Sequence, residues 1–191
     1  MATVHRTTMS PTKLELLAGW LPKQSWYEGA RAPELAVAGG FRLDDPAGEV
    51  GIEVMIVADA SARETAAYLV PLGYRGEPLE DAPAEALIGT SEHGVLGTRW
   101  IYDGTHDPVV MTRLRALLRG EATPQHQNES DTPDPSVTVH GACPDDGFEV
   151  RVRRVLRSME DGGELSGVVV AAWTRVDGTA TRGVVAVAES R

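Results

Sequence analysis

The sequence predicts an α+β protein in which an antiparallel β-sheet carries two helices. Three observations lead there. Val- and Ile-rich runs recur along the chain, separated by Gly-, Pro- and Asp-rich turns, the pattern of strands joined by hairpins. Two stretches instead space their apolar residues at i, i+3, i+4 and i+7, as one face of a helix does. Hydrophobic residues make up 42% and charged residues 24% of the 191-residue chain, near ordinary globular usage, so a core can be buried.

Taken in order, "SPTKLELLAGWLP" reads as a short helix. Ser10 is placed to cap it, Pro11 suits its first turn, and Leu14, Leu17, Ala18 and Leu21 share a face. Gly19 weakens the last turn and Pro22 should end it. Residues 34–43 read as a strand whose glycine pair favours a bulge, "DDPAG" as a turn, and "EVGIEVMIVADA" as a strong strand. The next piece has two signals. Ser61 and Glu64 have capping-box spacing, whereas "AAYLVPLGYRG" favours a return strand centred on residues 65–72, with Pro71 on an edge or at a bulge. The strand reading is adopted. A further strand is expected at residues 95–102, then a helix in "HDPVVMTRLRALLRG". Asp107 caps that helix, Pro108 opens it, Val110, Leu114, Leu117 and Leu118 face inward, and Gly120 ends it.

Residues 121–136, "EATPQHQNESDTPDPS", lack large apolar side chains and read as a mobile linker. Beyond it the chain is almost purely β. "FEVRVRRVLR" begins by alternating, with Phe148, Val150 and Val152 on one face and Glu149, Arg151 and Arg153 on the other. "ELSGVVVAAWTRV" and "TRGVVAVAE" flank "DGTA" as a final hairpin. The domain reading is residues 1–120, a linker at 121–136, and a β portion at 137–191 that extends the first sheet or forms a small lobe.

Composition excludes several functions. A formal net charge of −10 repels phosphate backbones and anionic headgroups, so neither nucleic acid nor a membrane is an expected partner. Cys143 is the sole cysteine, which excludes an internal disulfide and points to a reducing, cytoplasmic compartment. No apolar run reaches membrane-spanning length.

The motif "WLPKQSWYEG" places Trp20, Leu21, Pro22, Gln24, Trp26 and Tyr27 at a spacing that seldom arises by chance. It resembles the opening of the maltokinase N-terminal cap domain. "YLVPLGYRGEPL" and "EALIGTSEHGVLGTRWIYDGTHDPVVMTRLRALLRG" follow in that family's order, and the resemblance covers residues 11–120. It implies a curved antiparallel sheet with helices packed on it. It also implies a setting in enzymes that phosphorylate maltose, between trehalose and α-glucan. In that family the cap holds no catalytic residue. Here the only lysines are Lys13 and Lys23, so the stretch 137–157, which faintly resembles the hairpin bearing the ATP lysine, has arginines instead. The catalytic loop and metal-binding Asp motif of a kinase are absent from the sequence. The expectation is a stand-alone, non-catalytic cap-like protein without a cofactor, and the expected partner is a maltose- or trehalose-processing enzyme.

Other chemistry is weakly signalled. His140 and Cys143 supply two ligands where a closed zinc site needs about four, and His126 and Asp131 form no ligand pattern, so no metal is expected. Tyr102, Asp103, His106 and Asp107 cluster in "YDGTHD", but capping and turn formation account for both carboxylates. No catalytic residue is therefore assigned. Candidate interaction residues are Trp26 and Tyr27, as an aromatic platform for a sugar or partner, and Arg151, Arg153 and Arg154, with Arg157 nearby, as a cationic row. A glycan-binding module is the alternative to a protein partner, and an enzyme of unknown type comes third. Core packing is the favoured role for the aromatics and a solvated strand face for the arginines.

Overall fold

The computed structural model describes residues 9–61, 66–143, 147–159 and 165–190. Its elements are β1 (Met9–Ser10), α1 (Lys13–Trp20), β2 (Leu35–Leu43), β3 (Gly51–Asp59), β4 (Ala66–Arg75), β5 (Leu87–His93) and β6 (Gly97–Asp103). They continue as α2 (Pro108–Leu118), β7 (Thr138–His140), β8 (Glu149–Val152), β9 (Val155–Leu156), β10 (Val168–Thr174) and β11 (Ala180–Glu189). The strands form one eleven-stranded antiparallel sheet in the order β1-β5-β6-β4-β3-β2-β10-β11-β8, with β7 on β10 and β9 on β4. This is the α+β architecture that the alternating strands and two helical stretches predict.

The largely apolar run in β3, interrupted by Glu53, follows from burial on both faces. Ile52, Val54 and Ile56 enter a core with Val110, Leu114, Leu117 and Leu118 of α2. Met55 and Val57 point the other way, into a core with Leu17 and Trp20 of α1 and the adjoining Leu21. β4 divides likewise, with Ala67 and Leu69 in the first core and Tyr68, Val70 and Leu72 in the second. The first core also takes Phe148, Leu156, Val169, Ala171, Trp173 and Val185 from the C-terminal part of the chain. The sheet continues into that part where Trp173 of β10 pairs with Gly39 of β2.

Pro71 sits inside β4, opposite Val54. Its far side is a gap, since β9 pairs with Ala67 and Tyr68 while β6 begins at Leu72. The Leu69 N–H, two residues earlier and so on the same side of the strand, donates across to Arg154 O rather than to β3. The missing N–H of Pro71 therefore breaks no ladder bond with β3.

Four local features differ from the sequence reading or complete it. Thr12, not Ser10, caps α1: its hydroxyl accepts from Glu15 N at 3.3 Å while Glu15 Oε2 accepts from Thr12 N at 2.7 Å. Ser10 instead pairs with Glu92 as part of β1. Past α1 the chain makes a 3-10 turn at Leu21–Lys23 that contains Pro22. β5, unforeseen as a strand, alternates Ile88 and Ser91 inward with exposed Leu87, Thr90 and Glu92. The β2 bulge falls between Val37 and Gly39. The rival capping box at Ser61 and Glu64 lies partly outside the described residues.

Residues 121–136 make specific contacts with β2 and β3. Gln125 exchanges backbone hydrogen bonds with Arg42 of β2, at 2.8 and 3.0 Å. Gln127 Nε2 donates to Glu53 Oε1 at 2.8 Å. Gly40, at φ +132°, leaves the room, because a Cβ there would lie 2.8 Å from Gln127 Nε2.

Candidate functional site

The motif "WLPKQSWYEG" runs from the end of α1 across the second core. Trp20 is 4% exposed and its indole N–H donates to Glu85 O at 2.9 Å, which satisfies its one polar atom. Trp26 meets Trp20 edge-on, with ring centroids 5.9 Å apart, and leans on Tyr68 at 6.0 Å. Tyr27 lies 5.1 Å from the Tyr68 ring. Tyr68 is fully buried, and its hydroxyl accepts from Glu28 N at 3.2 Å. Gln24 closes the turn by donating to Trp20 O at 3.3 Å. The motif thus folds onto β4 through ring contacts and onto its neighbours through single polar atoms.

A buried carboxylate fixes Tyr27. Its hydroxyl donates to Asp59 Oδ2 at 2.6 Å, while Asp59 Oδ1 accepts from Glu34 N at 3.0 Å and Ser61 N at 2.9 Å. Burial alone would raise the Asp59 pKa, but the hydrogen bonds from Tyr27, Ser61 and Glu34 outweigh it and hold the carboxyl below its usual range. Burial, reinforced by that carboxylate, pushes the Tyr27 phenol up. Burial also raises Tyr68. Gly29 permits the contact, since a Cβ there would collide with the Tyr27 hydroxyl and the Asp59 carboxylate.

Arg154 covers the other side of Trp26. Its guanidinium carbon stands 4.9 Å from the Trp26 ring centroid. One guanidinium nitrogen pairs with Asp103 Oδ2 and donates to Thr105 Oγ1 at 2.7 Å. The second reaches Leu69 O at 3.5 Å. Side-chain exposure is 15% for Arg154 and 4% for Asp103, so this pair is largely withdrawn from water.

Residues 20–107 match the maltokinase N-terminal cap domain. This matched stretch, the cap segment, holds the aromatic signature, Asp59, Tyr68 and Asp103. It lies within residues 11–120, the span of the sequence resemblance.

Within the cap segment, the "YDGTHD" carboxylates are committed to arginines. Asp103 pairs with Arg154 and also accepts from Thr105 N at 3.2 Å. Asp107 receives Arg75 through two bonds, at 2.7 and 2.8 Å, and caps α2 by accepting from Val109 N at 2.9 Å. His106 is exposed, and the Tyr102 hydroxyl accepts from Leu79 N at 3.1 Å. The two carboxylates hold the turn between β6 and α2, while Tyr102 bonds elsewhere and His106 faces solvent.

The other candidates separate. Arg151 pairs with Glu189 at 2.8 Å on an exposed stretch of β8, and Arg153 is also exposed. Arg157 reaches Glu28 at 3.4 Å, again at the surface. His140 shares a 2.8 Å hydrogen bond with Thr138, while the Cys143 thiol donates to Leu118 O at 3.0 Å. Burial pushes that thiol's pKa up. His126 lies 3.8 Å from Asp134, which is 6% exposed, and Asp131 is exposed with a positive φ of 53°. Among the described residues no group of three His, Cys, Asp or Glu side chains is arranged to hold a metal, and no helix is long and apolar enough to cross a membrane.

One polar cluster joins residues that no local spacing links. Glu53, 8% exposed in β3, accepts from Lys13 Nζ at 2.8 and 2.9 Å, from the Tyr74 hydroxyl at 2.7 Å and from Gln127 Nε2 at 2.8 Å. Burial, then the Glu53 charge, raises the Tyr74 phenol well above its ordinary pKa. The four groups come from α1, β3, β4 and residues 121–136. A lone glutamate within an apolar strand run marks the place.

Proposed function

We propose that this chain is a non-catalytic, cap-type protein that acts by binding, as an interaction or regulatory partner of a cytoplasmic enzyme of maltose, trehalose or α-glucan metabolism. The match of residues 20–107 to the maltokinase cap carries this reading. The committed state of the polar groups supports it, with Asp59, Asp103 and Asp107 each bound to a neighbour within the fold. Of the candidate interaction residues, Arg151 of β8 and the adjoining Arg153 are exposed, which suits them to contact a partner. Trp26, Tyr27 and Arg154 are half-buried and make their contacts within the fold, which favours a packing role for them.

The test is affinity capture by the immobilised full-length protein from native lysate of its own host. An enzyme that processes maltose, trehalose or α-glucan is expected among the specifically retained proteins. Retention of unrelated proteins alone contradicts the reading.

A further inference from the structure

We propose that the cap segment carries a receptor site for an arginine side chain presented on an extended strand, and that Arg154–Leu156 fills it in cis. Every receptor group comes from residues 20–107, whereas the occupant comes from beyond them. Trp26 offers a ring face, Asp103 a buried carboxylate, and Thr105 Oγ1 and Leu69 O two further acceptors. That combination suits a guanidinium, which stacks by its plane while its edge donates several hydrogen bonds in fixed directions. A lysine ammonium could satisfy the charge but not the stack and fork together.

The backbone completes the recognition. Leu69 N donates to Arg154 O at 2.9 Å, and β9 adds to the open edge of β4, with Val155 opposite Tyr68 and Leu156 opposite Ala67. Leu156 is buried in the first core, while Val155 packs against the second. The ligand class is thus a strand of the form Arg-apolar-Leu.

The chain on either side of this short strand is hydrogen-bonded to β11. Arg153 N donates to Val185 O at 2.9 Å and Met159 N to Arg182 O at 2.8 Å. At Arg154–Leu156 the chain departs from its pairing with β11 to enter the cap site, and it resumes that pairing at Met159. This assignment goes beyond the metabolic reading and does not depend on it.

Arg154→Ala empties the site and strands the Asp103 charge, so the thermal midpoint of the full-length protein should fall by on the order of 10 °C. N-ethylguanidinium at millimolar concentration should then restore much of that loss. Ethylammonium, with the same charge but no planar fork, should restore little, and adding Asp103→Asn should abolish the rescue. Arg154→Lys keeps a charge opposite Asp103 and protects the fold, and its midpoint should still lie below that of the unsubstituted protein. An Arg154→Lys protein as stable as the original overturns the proposal, as does a folded Arg154→Ala protein rescued by neither cation or equally by both.

Discussion

Replacing Asp107 with Ala should destabilise the protein by about 3–5 kcal/mol, among the largest single-site losses in the chain. The side chain is 0% exposed and has two tasks. It receives both donors of Arg75 from β4, and it caps the first turn of α2. Truncation leaves a guanidinium that is 20% exposed facing an apolar gap, and it removes the cap. The cap accounts for only about 1 kcal/mol. Asp107→Asn preserves capping but not the ion pair, so it should recover roughly that share and no more. Urea unfolding of the three proteins measures the ordering. If the Asn variant matches the original, the ion pair contributes little and α2 is held by its apolar face alone.

Glu53→Ala should cost roughly 3 kcal/mol, because it strands three donors at once. The loss has a location as well as a size. Gln127 is tied to β3 through Glu53, so amide exchange in residues 124–134 should speed up more than in β10 and β11. Lys13→Ala should cost less, since the lysine side chain is 33% exposed and its pairing with Glu53 is partly screened by solvent. Equal losses for the two variants would show that Tyr74 and Gln127 do not depend on Glu53.

The elements that local physics determines were legible in the sequence. α2 is framed by Asp107, Pro108 and Gly120, and its apolar positions are the buried ones. β3 and the final hairpin are equally plain, since their Val and Ile runs end in turn residues. Thr12 and Glu15 also spell a capping box, yet Ser10 beside Pro11 imitates a helix start two residues too early. β5 was obscured because "LIGTSEH" has only two large apolar residues, and its inward Ser91 donates to Pro11 O at 2.7 Å instead of packing as a hydrophobe.

Non-local pairing was not legible. The composition of residues 121–136 reports missing apolar bulk, but their contacts with Arg42 and Glu53 are hydrogen bonds that composition does not register. By sequence alone Arg154 belongs with its neighbours to a cationic row. The doubled Arg153–Arg154 interrupts the alternation where the chain turns from β11 toward β4, and that break was the available sign. The acceptors Asp103 and Leu69 lie 51 and 85 positions away, beyond any spacing rule.

The aromatic signature is expected to pack the fold and to bind no sugar. Trp20 is enclosed, the half-buried Trp26 packs against Trp20, Tyr68 and Arg154, and Tyr27 is held by Asp59. Tryptophan fluorescence titration of the intact protein with maltose, trehalose and longer α-glucans tests this most directly. The expected result is no change in emission wavelength or intensity across the series. A saturable shift with any of these sugars would contradict the claim and make the signature a glycan-binding surface.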